Sequence, residues 1–229
     1  MPGVTELASA LLKRLDDRLP AAGDPVRAAG MAAYMRDQFA YAGVPAPALR
    51  GLEREVFAGL PKPGADDLRA IALACWERAE REYQYVACDY LRKHVACADA
   101  AFLPTLAFLI TTKSWWDTVD ALATRFTGDL VRRDPALVTA MDEWSGAPNM
   151  WLIRTAILHQ LHYGEHTDTG RLFGYCLRQA AHRDFFVRKA IGWALRHYAR
   201  TDPEAVRAFI NQNRSRLSPL SVKEATKHL

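Results

Sequence analysis

Three short stretches of the chain combine side chains suited to a charged, planar ligand. In Ala190-Ile191-Gly192-Trp193-Ala194-Leu195-Arg196, Trp193 and Arg196 are three apart, and Arg200 follows Trp193 by seven. On a helix these residues share a face. An indole that stacks beside guanidinium groups that hold phosphates suits a nucleic-acid groove. A core Trp with basic, solvent-facing neighbours fits the same spacing. Gly192 within that helix costs roughly 1 kcal/mol relative to Ala, so a close approach is expected there, by a neighbouring helix or by a ligand. In Asn149-Met150-Trp151-Leu152-Ile153-Arg154, Arg154 is fully charged yet opens the apolar run Ala156, Ile157 and Leu158. Its planar fork matches phosphate oxygens. The alternatives are a snorkelling side chain or a helix-packing ion pair.

The third stretch is Lys113-Ser114-Trp115-Trp116-Asp117-Thr118-Val119-Asp120. Ser114 is placed to cap a helix, with Asp117 three residues on as in a capping box. Asp120 lies four residues after Trp116, so indole and carboxylate share one face, while Val119, Leu122 and Ala123 point to the core. On these residues alone, a working pair and an exposed aromatic beside a solvated acid remain open. Tyr34 and Tyr41, seven apart, read as core residues with their hydroxyls at the edge. Cys75, Cys88, Cys97 and Cys176 form no C-x-x-C and read as buried, reduced thiols. No Cys or His spacing suits zinc, so no metal is expected.

The elements that must position these residues are helical. Apolar side chains recur at three- and four-residue spacing near 4–19, 25–42, 45–59, 65–78, 80–95, 101–110, 114–126, 134–144, 148–163, 167–181, 184–200, 202–212 and 218–228. Asp24-Pro25, Asp134-Pro135 and Asp202-Pro203 each join an N-cap acceptor to a Pro at the first helical position. The helices repeat: Trp151–Ile157 aligns with Phe185–Ile191 at an offset of 34, extending to Leu161 and Leu195. A weaker copy sets Tyr85, Cys88, Asp89 and Leu91 against Trp116, Val119, Asp120 and Leu122, an offset of 31. Such periods predict an all-α fold, an α-solenoid of HEAT-like antiparallel helix pairs whose inner helices line a concave groove. With no long linker, residues 1–229 are expected to form a single domain.

Net charge is +4, unevenly spread. Residues 146–229 carry 13 Lys and Arg against 6 Asp and Glu, which makes the expected groove basic and points to a polyanion. The longest apolar stretches are far shorter than the roughly 20 residues of a membrane span. The first residues also lack a signal-peptide pattern. A soluble, cytoplasmic protein with no membrane partner is expected.

Over almost its whole length the chain resembles the AlkD-like DNA alkylation repair glycosylases, which are HEAT-like repeat proteins. The likeness rests on Ala33-Tyr34-Met35 with Gly43-Val44-Pro45-Ala46-Pro47, on Lys113 to Asp120 and on Asn149 to Leu158. It continues through Phe185 to Tyr198 and closes on Leu217-Ser218-Pro219-Leu220. Ser114–Asp120 and Lys189–Trp193 are its most specific parts. The resemblance implies excision of N3- and N7-alkylated purines from double-stranded DNA. Asp120 would be the catalytic carboxylate, with Trp116 and Trp193 as the indoles flanking the lesion nucleotide. Tyr34 would lie in the same cleft and Arg154 would hold the DNA backbone near the carboxylate. Lys113, Arg188, Lys189 and Arg196 are the further basic candidates for DNA contact in the matched segments. The resemblance also implies cleavage without extrusion of the lesion and no cofactor, and a groove that must admit duplex DNA points to a monomer with no obligate protein partner. A non-catalytic helical-repeat protein that binds distorted DNA is the alternative, and Asp120 is the residue that separates the two.

Overall fold

Each of the three Asp–Pro pairs opens a helix, as the chemistry of the pair requires. The structure is a computed structural model that describes residues 5–229. Asp24 accepts from the N–H groups of Val26 and Arg27 at 2.9 and 3.0 Å, Asp134 from Ala136 at 3.2 Å, and Asp202 from Ala205 at 2.9 Å. Such caps contribute about 1 kcal/mol each. Among the described residues the regular structure is all-α apart from one isolated bridge pair, Ala40 with Glu80. The chain divides into two units, residues up to Leu109 and residues from Ile110.

The first unit holds α1 (Glu6–Arg18), α2 (Pro25–Tyr34), α3 (Ala46–Phe57), α4 (Ala65–Glu77) and α5 (Arg81–Lys93), and the division falls inside α6 (Leu103–Thr111). Leu7, Leu11 and Leu15 form the buried stripe of α1, which packs on α3 and α4. The first position of the helix expected over 4–19 lies outside the described residues. The helix expected over 25–42 is shorter and ends at Tyr34. Arg36 and Asp37 turn into the left-handed region, with φ of 57° and 56°. Beyond them the buried carboxylate of Glu82 accepts from the backbone N–H groups of Ala42, Gly43 and Val44 at 3.0, 2.8 and 3.1 Å. Gly43 has φ of 89°, and a Cβ there would lie 2.1 Å from the Asp24 carbonyl oxygen. Tyr41 is buried with its hydroxyl 3.0 Å from that of Tyr85. Tyr34 departs from the expected core position: it is the last residue of α2 and is 75% exposed.

The second unit begins with α7 (Trp116–Ala121), which runs through a π-helical turn (Leu122–Thr127) into α8 (Gly128–Arg133). Then come α9 (Val138–Trp144), α10 (Met150–Leu158), α11 (Thr169–Arg178), α12 (Phe185–Tyr198), α13 (Pro203–Asn213) and α14 (Pro219–Ala225). The two members of the 34-residue repeat are α10 and α12, and they pack on each other. α10 also meets α7, α9 and α11, while α12 packs most extensively on α14. Gly192 explains the last contact, since a Cβ there would lie 2.4 Å from Glu224 Cβ and 2.9 Å from the Ser221 carbonyl oxygen. The close approach is by a helix.

Candidate active site

The turn that launches α7 differs from its expected cap. Ser114 Oγ donates to the Ile110 carbonyl at 2.7 Å, so it serves the end of α6. The N-cap position of α7 falls to Trp115, whose extended backbone supplies no side-chain acceptor. Asp117 accepts from the adjacent Thr118 N–H at 2.9 Å instead of closing a capping box. Lys113 precedes this turn with φ of 50°. Trp116 then opens α7, half-buried, and Asp120 follows one turn later on the same face.

Asp120 meets Arg154 of α10. Arg154 Nε donates to Oδ1 at 2.7 Å and Nη2 to Oδ2 at 2.8 Å, a parallel two-bond fork. Nη1 donates to the backbone carbonyl of Phe186, at the start of α12. Asn149 caps α10 by accepting from the Trp151 N–H at 2.9 Å, which fixes the turn carrying Arg154. The guanidinium lies 5.9 Å from the Phe186 ring centroid, and Phe186 packs at 5.1 Å against both Trp115 and Trp151. The Arg154 side chain is 6% exposed and that of Asp120 18%. Burial pushes the Asp120 carboxyl above the usual carboxylate range, and the fork of Arg154 opposes that shift. Because the guanidinium never loses its proton and donates to both oxygens, the pair is held as carboxylate and cation. Three neighbouring helices thus fix one anionic group that keeps a limited opening to solvent.

The other candidates occupy different settings. Trp193 is half-buried on α12, the helix packed on α10. Lys189 and Arg196 both reach the buried Glu224 of α14, at 2.9 Å each, and Lys227 reaches it at 2.8 Å. Arg188 Nε donates to the His182 carbonyl at 2.7 Å. Tyr34 belongs to the first unit, where it lines an apolar groove of about 490 Å³ with Val26, Met31, Met35, Tyr41 and Tyr85. The Phe186 carbonyl and the Trp115–Trp151–Phe186 cluster escape sequence reasoning. A backbone acceptor has no residue-type signature, and these aromatics read equally as core.

A family model described as DNA alkylation repair enzyme matches residues 15–229. The chain belongs to the DNA alkylation repair enzyme family. It is also similar to a solved structure described as a predicted DNA alkylation repair enzyme from Enterococcus faecalis, at 34% identity and a TM-score of 0.83. That likeness covers 90% of this chain and 96% of the other. A search of curated proteins returns no match. As a member of the DNA alkylation repair enzyme family, the protein acts in the repair of alkylated DNA and binds DNA. Among the described residues, no helix is long and apolar enough to cross a membrane.

Proposed function

We propose that the chain is a monofunctional DNA glycosylase that hydrolyses the N-glycosidic bond of cationic N3- and N7-alkylated purines in duplex DNA. The observation that carries this reading is the Asp120 carboxylate, held by the two-bond fork of Arg154 beside the half-buried Trp116. Alkylation at N3 or N7 gives the purine a positive charge and makes it a good leaving group, so little proton donation is needed. Departure of the base spreads positive charge over the sugar, as in glycoside hydrolysis. A fixed carboxylate stabilises that charge and orients the attacking water. The indoles of Trp116 and Trp193 add roughly 0.5–2 kcal/mol each where they face a cation.

Pairing with Arg154 suits this work in two ways. It holds the carboxylate in one orientation, and it offsets the repulsion that a lone anion would feel among phosphates. In this reading Arg154 is a positioning residue, and backbone contact at the site falls to donors it does not commit to Asp120 and Phe186. Tyr34, Lys113, Arg188, Lys189 and Arg196 are the further DNA-contacting candidates on duplex DNA bound by a monomer. The chain acts as one glycosylase domain, the lesion stays stacked, and no cofactor takes part.

The test is single-turnover release of N7-methylguanine from a defined duplex by wild type and Asp120→Asn. The Asn variant is expected to retain its DNA affinity and to lose orders of magnitude in rate. Tight binding without release by the wild type would instead favour a non-catalytic protein that recognises damaged DNA.

A further inference from the structure

In the second unit a cavity of about 180 Å³ opens between the end of α10, the segment that follows it and the last turns of α12. Its polar walls include His162, Thr167, His197, Tyr198 and Arg200, over a floor of Ile157, Leu161 and Leu172. A single water needs only about 10–15 Å³ of such space, so the cavity admits a group much larger than water. The His162 and His197 rings meet edge to face, with centroids 5.3 Å apart. Arg125, exposed on the π-helical turn, lies within electrostatic reach of both rings, and Arg196 and Arg200 act on His197.

The cluster is short of compensating anions. Among the described residues neither Arg125 nor Arg200 has an ion pair, in contrast to Arg196 and Lys189, which share Glu224. Asp129 is the carboxylate that acts on His162, and it is engaged by Arg132 at 3.0 Å. Asp202, next to Arg200, caps α13. Helix C-termini favour cations, which accounts for some of this charge but not for a polar cavity at its centre. Three cationic or ionisable groups, His162, His197 and Arg200, line an open cavity, Arg125 acts on both rings from beside it, and Asp129 and Asp202 are already engaged, which leaves an incomplete electrostatic set. An anion completes it.

We infer that Arg125, His162, His197 and Arg200 form a binding site for a phosphate group, either a backbone phosphodiester of DNA or a free phosphate anion. Arg125 and Arg200 supply permanent charge, while the imidazoles add theirs on protonation, so the site tightens as pH falls. Burial, and then the surrounding cations, hold both rings below their usual range. A bound anion works against both effects and draws the protons on. The inference does not depend on base excision, because binding of unmodified duplex tests it.

The histidine Cε1–H resonances of wild type are followed through a pH titration alone, with inorganic phosphate, and with a short unmodified duplex. Movement of the His162 and His197 midpoints to higher pH with the duplex assigns the site to backbone phosphate. Movement with inorganic phosphate and not with duplex assigns it to a free anion. In parallel, duplex affinity is measured against salt for wild type, Arg200→Gln and the double variant His162→Gln/His197→Gln. For a backbone site, Arg200→Gln is expected to reduce the slope of log affinity against log salt by about 0.9, the value of one phosphate contact. The double variant is expected to lose affinity more at pH 5.5 than at pH 8. Unmoved histidine midpoints with both ligands, together with unchanged slopes, overturn the proposal and leave these cations serving the helix ends alone.

Discussion

Asp120 and Arg154 are 34 residues apart in the chain, one repeat length, yet they act as a single group. The fork determines what each can do. Removing Arg154 strands a carboxylate that is 18% exposed, and breaking a buried pair typically costs 3–5 kcal/mol. Arg154→Ala is therefore expected to lower unfolding stability by about 3 kcal/mol, toward the lower end because Asp120 keeps some contact with water. Denaturant midpoints check this. Without the guanidinium, burial acts unopposed on Asp120, so its pKa rises further. Excision by Arg154→Ala is then expected to fall more at pH 6 than at pH 8. Arg154→Lys keeps the charge and loses the fork, and it is expected to recover stability in part. A variant with wild-type stability and an unshifted pH profile would remove Arg154 from the positioning role.

At the scale of elements, the α12–α14 contact depends on the absence of one carbon. A Cβ at residue 192 would meet Glu224 Cβ and the Ser221 carbonyl, both parts of a helix and unable to swing away. Gly192→Ala is expected to destabilise by roughly 1–3 kcal/mol through overpacking, despite its gain in helix propensity. Thermal unfolding measures the sign. The sequence disclosed that a close approach occurs at Gly192 but not what approaches. Helix starts at Asp24, Asp134 and Asp202 were legible because a cap and its donors lie within three residues of each other. The path of residues 42–44 was not, because the Glu82 carboxylate that holds them comes from about forty residues downstream. Likewise Asp120 and Arg154 could each be singled out, but their partnership, and the Phe186 carbonyl that completes it, required the packing of three helices.

For the molecule as a whole, acid stability turns on buried histidine. His159 is 1% exposed, and burial pulls its pKa down to about 4 despite the contact of Nδ1 with the Ala156 carbonyl at 2.7 Å. A free imidazole takes up a proton near 6.5, so the unfolded chain binds that proton first. Above pH 6.5 His159 has no effect on stability. As pH falls from 6.5 to about 4 it destabilises the fold progressively, reaching roughly 3 kcal/mol at one pKa unit per 1.36 kcal/mol. Glu224, lowered to about 2 chiefly by its bond to Lys227, acts in a separate window, its contribution fading between pH 4.5 and 2. His159→Gln is expected to flatten the decline in unfolding stability between pH 6.5 and 4, measured by denaturant titration. A decline as steep as that of wild type would assign the acid limb to other groups.

The π-helical turn at Leu122–Thr127 begins two residues after Asp120, and Thr124 Oγ1 returns a bond to the Asp120 carbonyl at 2.8 Å. Such a turn holds one residue more than an α-helix needs for the same advance. The weak internal repeat that aligns Asp89 with Asp120 reaches Leu122 and fades where the turn begins. One extra residue in a turn acts on phase: the helical register upstream, where the carboxylate sits, is kept, and the register downstream is offset. Set against a helix that runs straight, this one therefore needs a one-residue gap inside 122–127. A gapless superposition of such a helix that is correct at Asp120 misplaces Gly128 and the helix beyond it.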